Sequence, residues 1–247
     1  MLSKNLYRLD GQRMLITGAA GGIGGAAARA CGALGAELVL VDLAAADQLC
    51  AELRSAGCTV EAHRADTSKR TEIEAVVATA GRVDAAVDCA GYFPTTDWLA
   101  DPDWDTALQR VMEVNLYGPL HLARAVMPKM MERGSGRIVL IGSLAGRNGG
   151  AAAATQAHYV AAKGGVHSLV RWLSRRAISR GVMVNGIAPG PVDTSMNAGK
   201  GHNLDALPMR RMGRPEEIGW PIAFLCSPAS GYMSGAVLDI NGGNFVG

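Results

Sequence analysis

Seven short runs dominated by Val, Ile, Leu and Ala recur along the chain: "RMLIT" (13–17), "ELVLVD" (37–42), "TVEAHRA" (59–65), "DAAVDCA" (84–90), "GRIVLIG" (136–142), "VMVNGIA" (182–188) and "AVLDI" (236–240). Helix-like segments lie between them near 22–34, 44–56, 68–80, 103–133, 155–180 and 214–227. Most of the apolar runs lack strict polar alternation, as strands covered on both faces do. Strand and helix in regular succession predict an α/β fold with a parallel sheet between two helical layers. At 247 residues the chain has a length that α/β folds often take as one unit, and neither a long linker nor a fixed-period repeat divides it. A single domain over 1–247 is expected. The longest irregular stretch, 189–213, contains Pro189, Gly190, Pro191, Gly199, Gly201 and Pro208. A loop of that length inside a compact domain is usually functional, so it is the candidate substrate lid. Met196, Leu204, Leu207, Met209 and Met212 give it apolar contacts, or else pack it on the core.

Composition narrows the class of partner. The 24 basic residues nearly cancel the 22 acidic ones, and no Lys/Arg run stands out. That speaks against nucleic acid or an anionic membrane and leaves a small molecule as the expected partner. The five cysteines (Cys31, Cys50, Cys58, Cys89 and Cys226) are odd in number and form no C-x-x-C, so a cytoplasmic home is expected. The opening "MLSKNLYRLDGQ" has no apolar signal core, and no run is long enough for a transmembrane helix. The histidines at 63, 121, 158, 167 and 202 show no metal spacing, so no metal site is expected.

"TGAAGGIG" (17–24) follows the first strand and opens the first helix. Gly18, Gly22 and Gly24 permit a tight turn and a close backbone approach to a pyrophosphate. The helix N-terminus adds N–H groups and partial positive charge. A glycine turn alone reads equally as a plain turn; its place after the first strand favours the nucleotide. Asp42 ends the second strand, 18 residues beyond Gly24, with Leu43 after it. A carboxylate there accepts hydrogen bonds from both ribose hydroxyls and repels a 2′-phosphate, which favours NAD over NADP. Asp42 could instead, or as well, cap the next helix. "ADTS" (65–68) offers Asp66 and Thr67 either to adenine or as helix caps, and "DCAG" (88–91) suits contact with ribose. In an open parallel sheet, ligands gather at the carboxyl ends of strands, where Asp42, Asp66, Cys89–Gly91, Gly142–Ser143 and Pro189–Gly190 all fall.

Laid out in order, "TGAAGGIG", "DCAG", "VNLYG" (114–118), "GSLAG" (142–146), "YVAAK" (159–163), "NGIAPGPVDT" (185–194) and "INGG" (240–243) resemble the motifs of the short-chain dehydrogenase/reductase family along nearly the whole chain. The resemblance implies one Rossmann-type, doubly wound domain with a seven-stranded parallel sheet. It also implies catalytic roles for Asn115, Ser143, Tyr159 and Lys163, and a homotetramer or homodimer, with helices 103–133 and 155–180 as candidate interface. The overall pattern is similar to the 3-oxoacyl-reductase-like branch. Two departures stand out. Asp88 and Cys89 replace the family's usual Asn-Asn, and Ser143 and Tyr159 are separated by 15 residues, a few more than is common. The extra length falls in "GRNGGAAAATQA" (146–157), which must bulge if the serine is to reach the tyrosine.

Tyr159 and Lys163, four apart, share one helix face about 40° apart. Alone, the pair is as readily an ordinary surface pair. In this setting it suits hydride transfer, which needs a group to move the hydroxyl proton of a carbinol. A tyrosine of ordinary pKa ~10 must drop by roughly three units, about 4 kcal/mol, to act near neutrality. A lysine ammonium and a nicotinamide cation can each supply part. Tyr159 is then the general acid/base and Lys163 its stabiliser and ribose contact. Ser143 holds the substrate oxygen, and Asn115 positions a water or backbone group in a relay. Ala161, Ala162, Gly164 and Gly165 would let the cofactor approach the helix. "PGPVDT" (189–194) places Pro189, Gly190, Val192 and Thr194 near the nicotinamide. The expected cofactor set is therefore Gly18, Gly22, Ile23, Gly24, Asp42, Leu43, Asp66, Thr67, Cys89, Ala90, Gly91, Tyr159, Lys163, Pro189, Gly190, Val192 and Thr194. Tyr92, Phe93, Trp98, Trp104 and His158 are candidate walls of the substrate pocket, or structural anchors. Lys200, Arg210 and Arg211 would attract an anionic substrate, or form a solvated face. The expected activity is an NAD-dependent interconversion of a secondary alcohol and a ketone. The alternatives are an NADPH-dependent 3-oxoacyl thioester reductase or a non-catalytic dinucleotide sensor.

Overall fold

Each apolar run forms a strand in the computed structural model, which describes residues 5–94, 97, 99–150, 155–199 and 203–247. The strands are β1 (Arg13–Thr17), β2 (Glu37–Asp42), β3 (Val60–Arg64), β4 (Ala85–Asp88), β5 (Gly136–Ile141), β6 (Val182–Pro189) and β7 (Val237–Ile240). They form one sheet in the order β3-β2-β1-β4-β5-β6-β7, with every neighbouring pair parallel. Strand order reverses between β1 and β4. The crevice at their carboxyl ends is the switch point where such sheets bind ligands.

The helices are α1 (Gly22–Ala33), α2 (Asp47–Ser55), α3 (Arg70–Ala80), α4 (Trp104–Met112), α5 (Gly118–Arg133), α6 (Ala145–Asn148), α7 (Ala157–Ala177) and α8 (Glu216–Cys226). Period-two alternation sorts the strand residues into two cores. Met14, Ile16, Leu38 and Leu40 join Ala27, Cys31, Ile218 and Ile222 of α1 and α8 on one face. Leu15, Val39 and Val41 join Ile73, Leu122, Val166 and Val170 of α3, α5 and α7 on the other. Small residues set how closely helices approach: a Cβ on Gly219 of α8 would lie 2.7 Å from the Ala26 backbone of α1. The five cysteines are free. Among the described residues no helix is long and apolar enough to cross a membrane.

Three expectations need correction. The segment 103–133 is not one helix: a π-helical turn, Glu113–Tyr117, separates α4 from α5. Pro119, at the start of α5, has no N–H to continue the ladder, and the preceding residues take the wider turn. Such π turns occur often at functional sites, and this one carries Asn115. The segment 155–180 is α7 followed by a 3-10 turn over Ile178–Arg180. Finally, α2 begins at Asp47, so Asp42 does not cap it.

Candidate active site

At the switch point lies a cleft of about 550 Å³. Gly18, Gly21, Gly22, Ile23, Gly24, Asp42, Leu43, Asp66, Thr67, Cys89, Ala90, Gly91, Tyr92, Phe93, Arg110, Thr194 and Met196 are among the residues that line it. Its floor is backbone. Gly18 has φ +63°, and a Cβ there would lie 2.6 Å from the amide nitrogen of Ala90. A Cβ on Gly24 would lie 2.1 Å from the Gly18 carbonyl oxygen, and one on Gly22 2.4 Å from the Thr194 methyl. Only glycine fits these positions. The first turn of α1 has no side-chain cap and no acidic residue, so its opening amides are left for an anion. A dinucleotide's pyrophosphate fits this floor by shape and by charge.

Two carboxylates stand at the far wall. Asp42 accepts hydrogen bonds from the amides of Ala20 (2.9 Å) and Ala44 (3.1 Å), which ties the end of β2 to the glycine turn. Asp66 accepts from the Ser68 amide at 2.9 Å and from Arg110 at 3.2 Å. Burial opposes its ionisation, but the hydrogen bonds from Ser68 and Arg110 outweigh it and hold the carboxyl below its ordinary range. Among the described residues Arg110 is the one Lys or Arg lining the cleft, and it is already engaged by Asp66 and Ser68.

The proposed proton-transfer residues come together at the ends of β5 and α7. Ser143 follows β5, and its Oγ accepts from the Ala145 amide at 3.1 Å. Tyr159 and Lys163 lie in the first two turns of α7. The Phe93 ring covers Tyr159 with centroids 4.6 Å apart. Burial pushes the Tyr159 hydroxyl above its ordinary pKa, and a hydrogen bond with Ser143 opposes the rise. Lys163 Nζ lies 5.9 Å from the Tyr159 ring centre and donates to the Ile141 carbonyl at 2.8 Å. Burial lowers its pKa to about 8, against the pull of Asp88. The protein alone therefore leaves the tyrosine protonated, because its hydroxyl is desolvated while the ammonium is bound to the sheet. Asn115 is fully buried. It donates to the carbonyls of Tyr92 (2.7 Å) and Val111 (3.0 Å) and accepts from the Tyr92 amide (3.2 Å), so its contacts are with backbone groups.

Other expected residues are placed differently. Pro189 ends β6 and accepts from the Leu144 amide at 2.8 Å. A Cβ on Gly190 would meet Asn241 at 2.9 Å, and Val192 is buried in the core with Ile187 and Ile218. None of the three is among the cleft lining. Gly165 faces Leu116 of the π turn, 3.0 Å from an added Cβ, and Gly164 has as its nearest neighbour the Gly146 carbonyl of α6, at 3.9 Å. His158 is buried against the Trp104 ring at 5.0 Å, and burial lowers its pKa. Arg211 pairs with Glu217 at 2.7 Å. Within 189–213, Val192 bridges to Gly213. Trp98, Lys200, Gly201, His202 and the alanines at 151–154 lie outside the described residues.

The sequence reading missed two supporting side chains. His167 Nε2 accepts from the Ser143 amide at 3.4 Å. Burial, with Arg147 and Arg171 nearby, lowers its pKa to about 4, so it is neutral. Its position one turn after Lys163, on the same helix face, was the available signal. Asp88, flagged only as a departure from the motif, is buried and accepts from the Thr17 hydroxyl at 2.7 Å.

The comparisons agree with this geometry. A family model described as "Enoyl-(Acyl carrier protein) reductase" (adh_short_C2) matches residues 18–244. The chain belongs to the short-chain dehydrogenase/reductase family. It is 37% identical to galactitol 2-dehydrogenase (L-tagatose-forming) of Cereibacter sphaeroides, covering 97% of each chain. It is 35% identical to the 3-oxoacyl-[acyl-carrier-protein] reductase of Synechocystis, covering 95% of this chain and 97% of the relative. Among solved structures, a provisionally assigned NAD(P)-dependent gluconate 5-dehydrogenase of Beutenbergia cavernae, with NADP bound at low occupancy, superposes with a TM-score of 0.91. It is 31% identical, over 97% of this chain and 99% of that one. The chain lies in the 3-oxoacyl-reductase-like branch and is an oxidoreductase of CH–OH groups that uses a nicotinamide dinucleotide. Its substrates are of the alcohol/ketone or 3-oxoacyl kind.

Proposed function

We propose that the protein is an NAD-dependent dehydrogenase that interconverts a small secondary alcohol and its ketone. The observation that carries this reading is a glycine-floored cleft whose far wall presents the Asp42 carboxylate and whose lining residue Phe93 packs on Tyr159, the tyrosine that Ser143 hydrogen-bonds and Lys163 approaches. The cofactor residues are those of the expected set that line the cleft, with Gly18, Gly22 and Gly24 under the pyrophosphate and Asp42 on the ribose. When bound, the dinucleotide exchanges the hydride and, in its oxidised form, brings a positive ring near the tyrosine. Ser143 Oγ orients the substrate oxygen toward the Tyr159 hydroxyl, which takes the alcohol proton in oxidation and returns it in reduction. Lys163 steadies the phenolate, and Asn115 keeps the loop at Tyr92 and Phe93 closed over the site. The segment 189–213 serves as the lid. Exposed Leu120 and Trp172 on α5 and α7 support the expected dimer or tetramer contact. The free cysteines accord with a reducing, cytoplasmic setting.

The second reading, an NADPH-dependent reductase of 3-oxoacyl thioesters, is favoured by the name of the Synechocystis relative and by the NADP in the Beutenbergia structure. Asp42 opposes it, since a 2′-phosphate would meet a carboxylate with no unengaged Lys or Arg lining the cleft among the described residues. A screen of polyols, hydroxy acids, other secondary alcohols and 3-oxoacyl thioesters with NAD(H) and NADP(H) tests both readings. Turnover is expected with NAD and a hydroxylated substrate. An Asp42→Ala variant should lose roughly 10–100-fold in kcat/KM for NAD, the worth of charge-assisted hydrogen bonds. Higher kcat/KM with NADPH and a thioester in the unaltered enzyme would decide for the second reading. Tyr159→Phe should lower turnover about 10²–10⁴-fold and leave NAD affinity within a few-fold; near-normal turnover would remove the catalytic assignment.

A further inference from the structure

Asp88 occupies a place no surface argument explains. It ends β4, in register with Thr17 of β1 and Leu140 of β5. Its side chain is on the face covered by α5 and α7 and is only 1% exposed. One carboxyl oxygen accepts from Thr17, while Oδ2 is buried without a hydrogen-bond partner. An unpartnered anionic oxygen in an apolar interior is costly, and burial raises the Asp88 pKa to about 6 against the hydrogen bond from Thr17 and the attraction of Lys163. Lys163, on α7, is itself 3% exposed. Its Nζ is fixed on the carbonyl of Ile141, the residue after Asp88's neighbour Leu140. The two side chains attract one another, each favouring the other's charged form.

We propose that Asp88 is a positioning residue of the proton-transfer machinery, whose buried carboxylate keeps Lys163 an ammonium and thereby lets Tyr159 ionise. The proposal rests on the roles of Tyr159 and Lys163 given above. Among the described residues Asp88 is the one carboxylate that acts on Lys163. On β1 the neighbour is the uncharged Thr17. Just after β4 the Cys89 thiol is pushed well up by burial and stays protonated, with Cys226 of α8 acting on it. On α7, His167 is neutral, with its pKa near 4. The Tyr159 hydroxyl responds to burial and to Ser143. With Asp88 near 6 and Lys163 near 8, both are charged between those values. Without the carboxylate, burial alone acts on the lysine, which then loses its proton at lower pH and leaves no ammonium beside the phenolate.

The test needs no substrate. Tyrosinate absorbance is titrated in the NAD-bound protein, with the Tyr159→Phe titration subtracted. In Asp88→Asn, which keeps an acceptor for Thr17, the Tyr159 midpoint should rise by about one pH unit. Folding is checked by the melting temperature and NAD affinity by calorimetry. In a Lys163→Met background, Asp88→Asn should give no rise, because the effect runs through the lysine. A midpoint that stays or falls in Asp88→Asn overturns the proposal, and so does an equal rise without Lys163. Thr17→Val, which removes the hydrogen bond and keeps the charge, should leave the midpoint within a few tenths of a unit; a rise as large as in Asp88→Asn would make the role merely structural and overturn it. Turnover by Tyr159→Phe would overturn the underlying reading and this proposal together. An unshifted midpoint with an inactive Tyr159→Phe overturns this proposal alone.

Discussion

The proposed nucleotide half of the site, at the ends of β1, β2 and β4, and the proposed catalytic half, at the end of β5 and the start of α7, are built from different material. The first is shaped by backbone: Gly18, Gly22 and Gly24 leave no room for a methyl group. The second is shaped by buried polar side chains anchored on the backbone, Lys163 on the Ile141 carbonyl, Asn115 on Tyr92 and His167 on the Ser143 amide, with the Asp88–Thr17 side-chain pair on the border of the two halves. A backbone-built site is sensitive to volume and indifferent to charge one layer away. A site built from a polar network tolerates isosteres in shape and responds to every change of charge or hydrogen bonding.

The sharpest break of this contrast is Gly24→Ala. Its added Cβ would lie 2.1 Å from the Gly18 oxygen, which is backbone and cannot swing aside. Either the glycine turn moves or the helix start does, and dinucleotide affinity should fall by more than about 100-fold, a few kcal/mol of lost contacts. Equilibrium binding of NADH by fluorescence measures it. Binding within threefold of the unaltered protein would show that the floor is softer than this geometry says.

Asn115→Ala comes next. It removes three hydrogen bonds and leaves two backbone carbonyls and an amide unpaired. A loss of about 10–100-fold in kcat is expected, with melting several degrees lower, since each unpaired buried group costs roughly 1–3 kcal/mol. NADH affinity should change far less, which separates this half from the cleft. Loss of NADH affinity equal to the loss in kcat would show that the π turn supports both halves alike.

How much of this was legible in the sequence follows the same division. Strand positions and the glycine turn were readable because period-two burial and glycine's conformational freedom are local properties written into short strings. The π turn at Glu113–Tyr117 was not, because one extra residue per turn leaves the apolar spacing nearly unchanged. Nor was the use of Gly164 and Gly165, which face Gly146 and Leu116. A small residue shows that something comes close without showing what. The tyrosine's raised pKa was likewise out of reach: it comes from burial, with Phe93 packed on the ring from a loop 66 residues earlier, which the spacing of Tyr159 and Lys163 does not show.

A smaller effect, of opposite sign, is expected for stability in Asp88→Asn. Burial raises the Asp88 carboxyl from 3.8 to about 6. A raised carboxyl favours the folded state below its unfolded pKa and loses that contribution as pH climbs through the folded one. At pH 7 the ionised group costs on the order of 2–3 kcal/mol, reduced where Lys163 would be left without its partner. The amide should therefore melt several degrees higher at pH 7, and the gain should disappear below about pH 4. Thermal melts at pH 4 and pH 7 measure it. A gain independent of pH would point to packing and not to ionisation.

The smallest expected effect is the most discriminating between the halves. Gly164 lies in the interior of α7, and the nearest atom to an added Cβ, the Gly146 oxygen, is 3.9 Å away. Alanine there gains roughly 0.5–1 kcal/mol of helix propensity and meets no obstacle within the protein. If the glycine exists only to let α6 pass, Gly164→Ala should melt slightly higher and keep its KM for NAD within twofold. If it clears a path for the cofactor, as the sequence alone suggested, KM should rise about tenfold or more with the fold intact, since a methyl forced into a filled contact costs upwards of 1 kcal/mol. The same glycine-to-alanine change, made at Gly24 and at Gly164, then separates a glycine required by the ligand floor from one that serves helix packing.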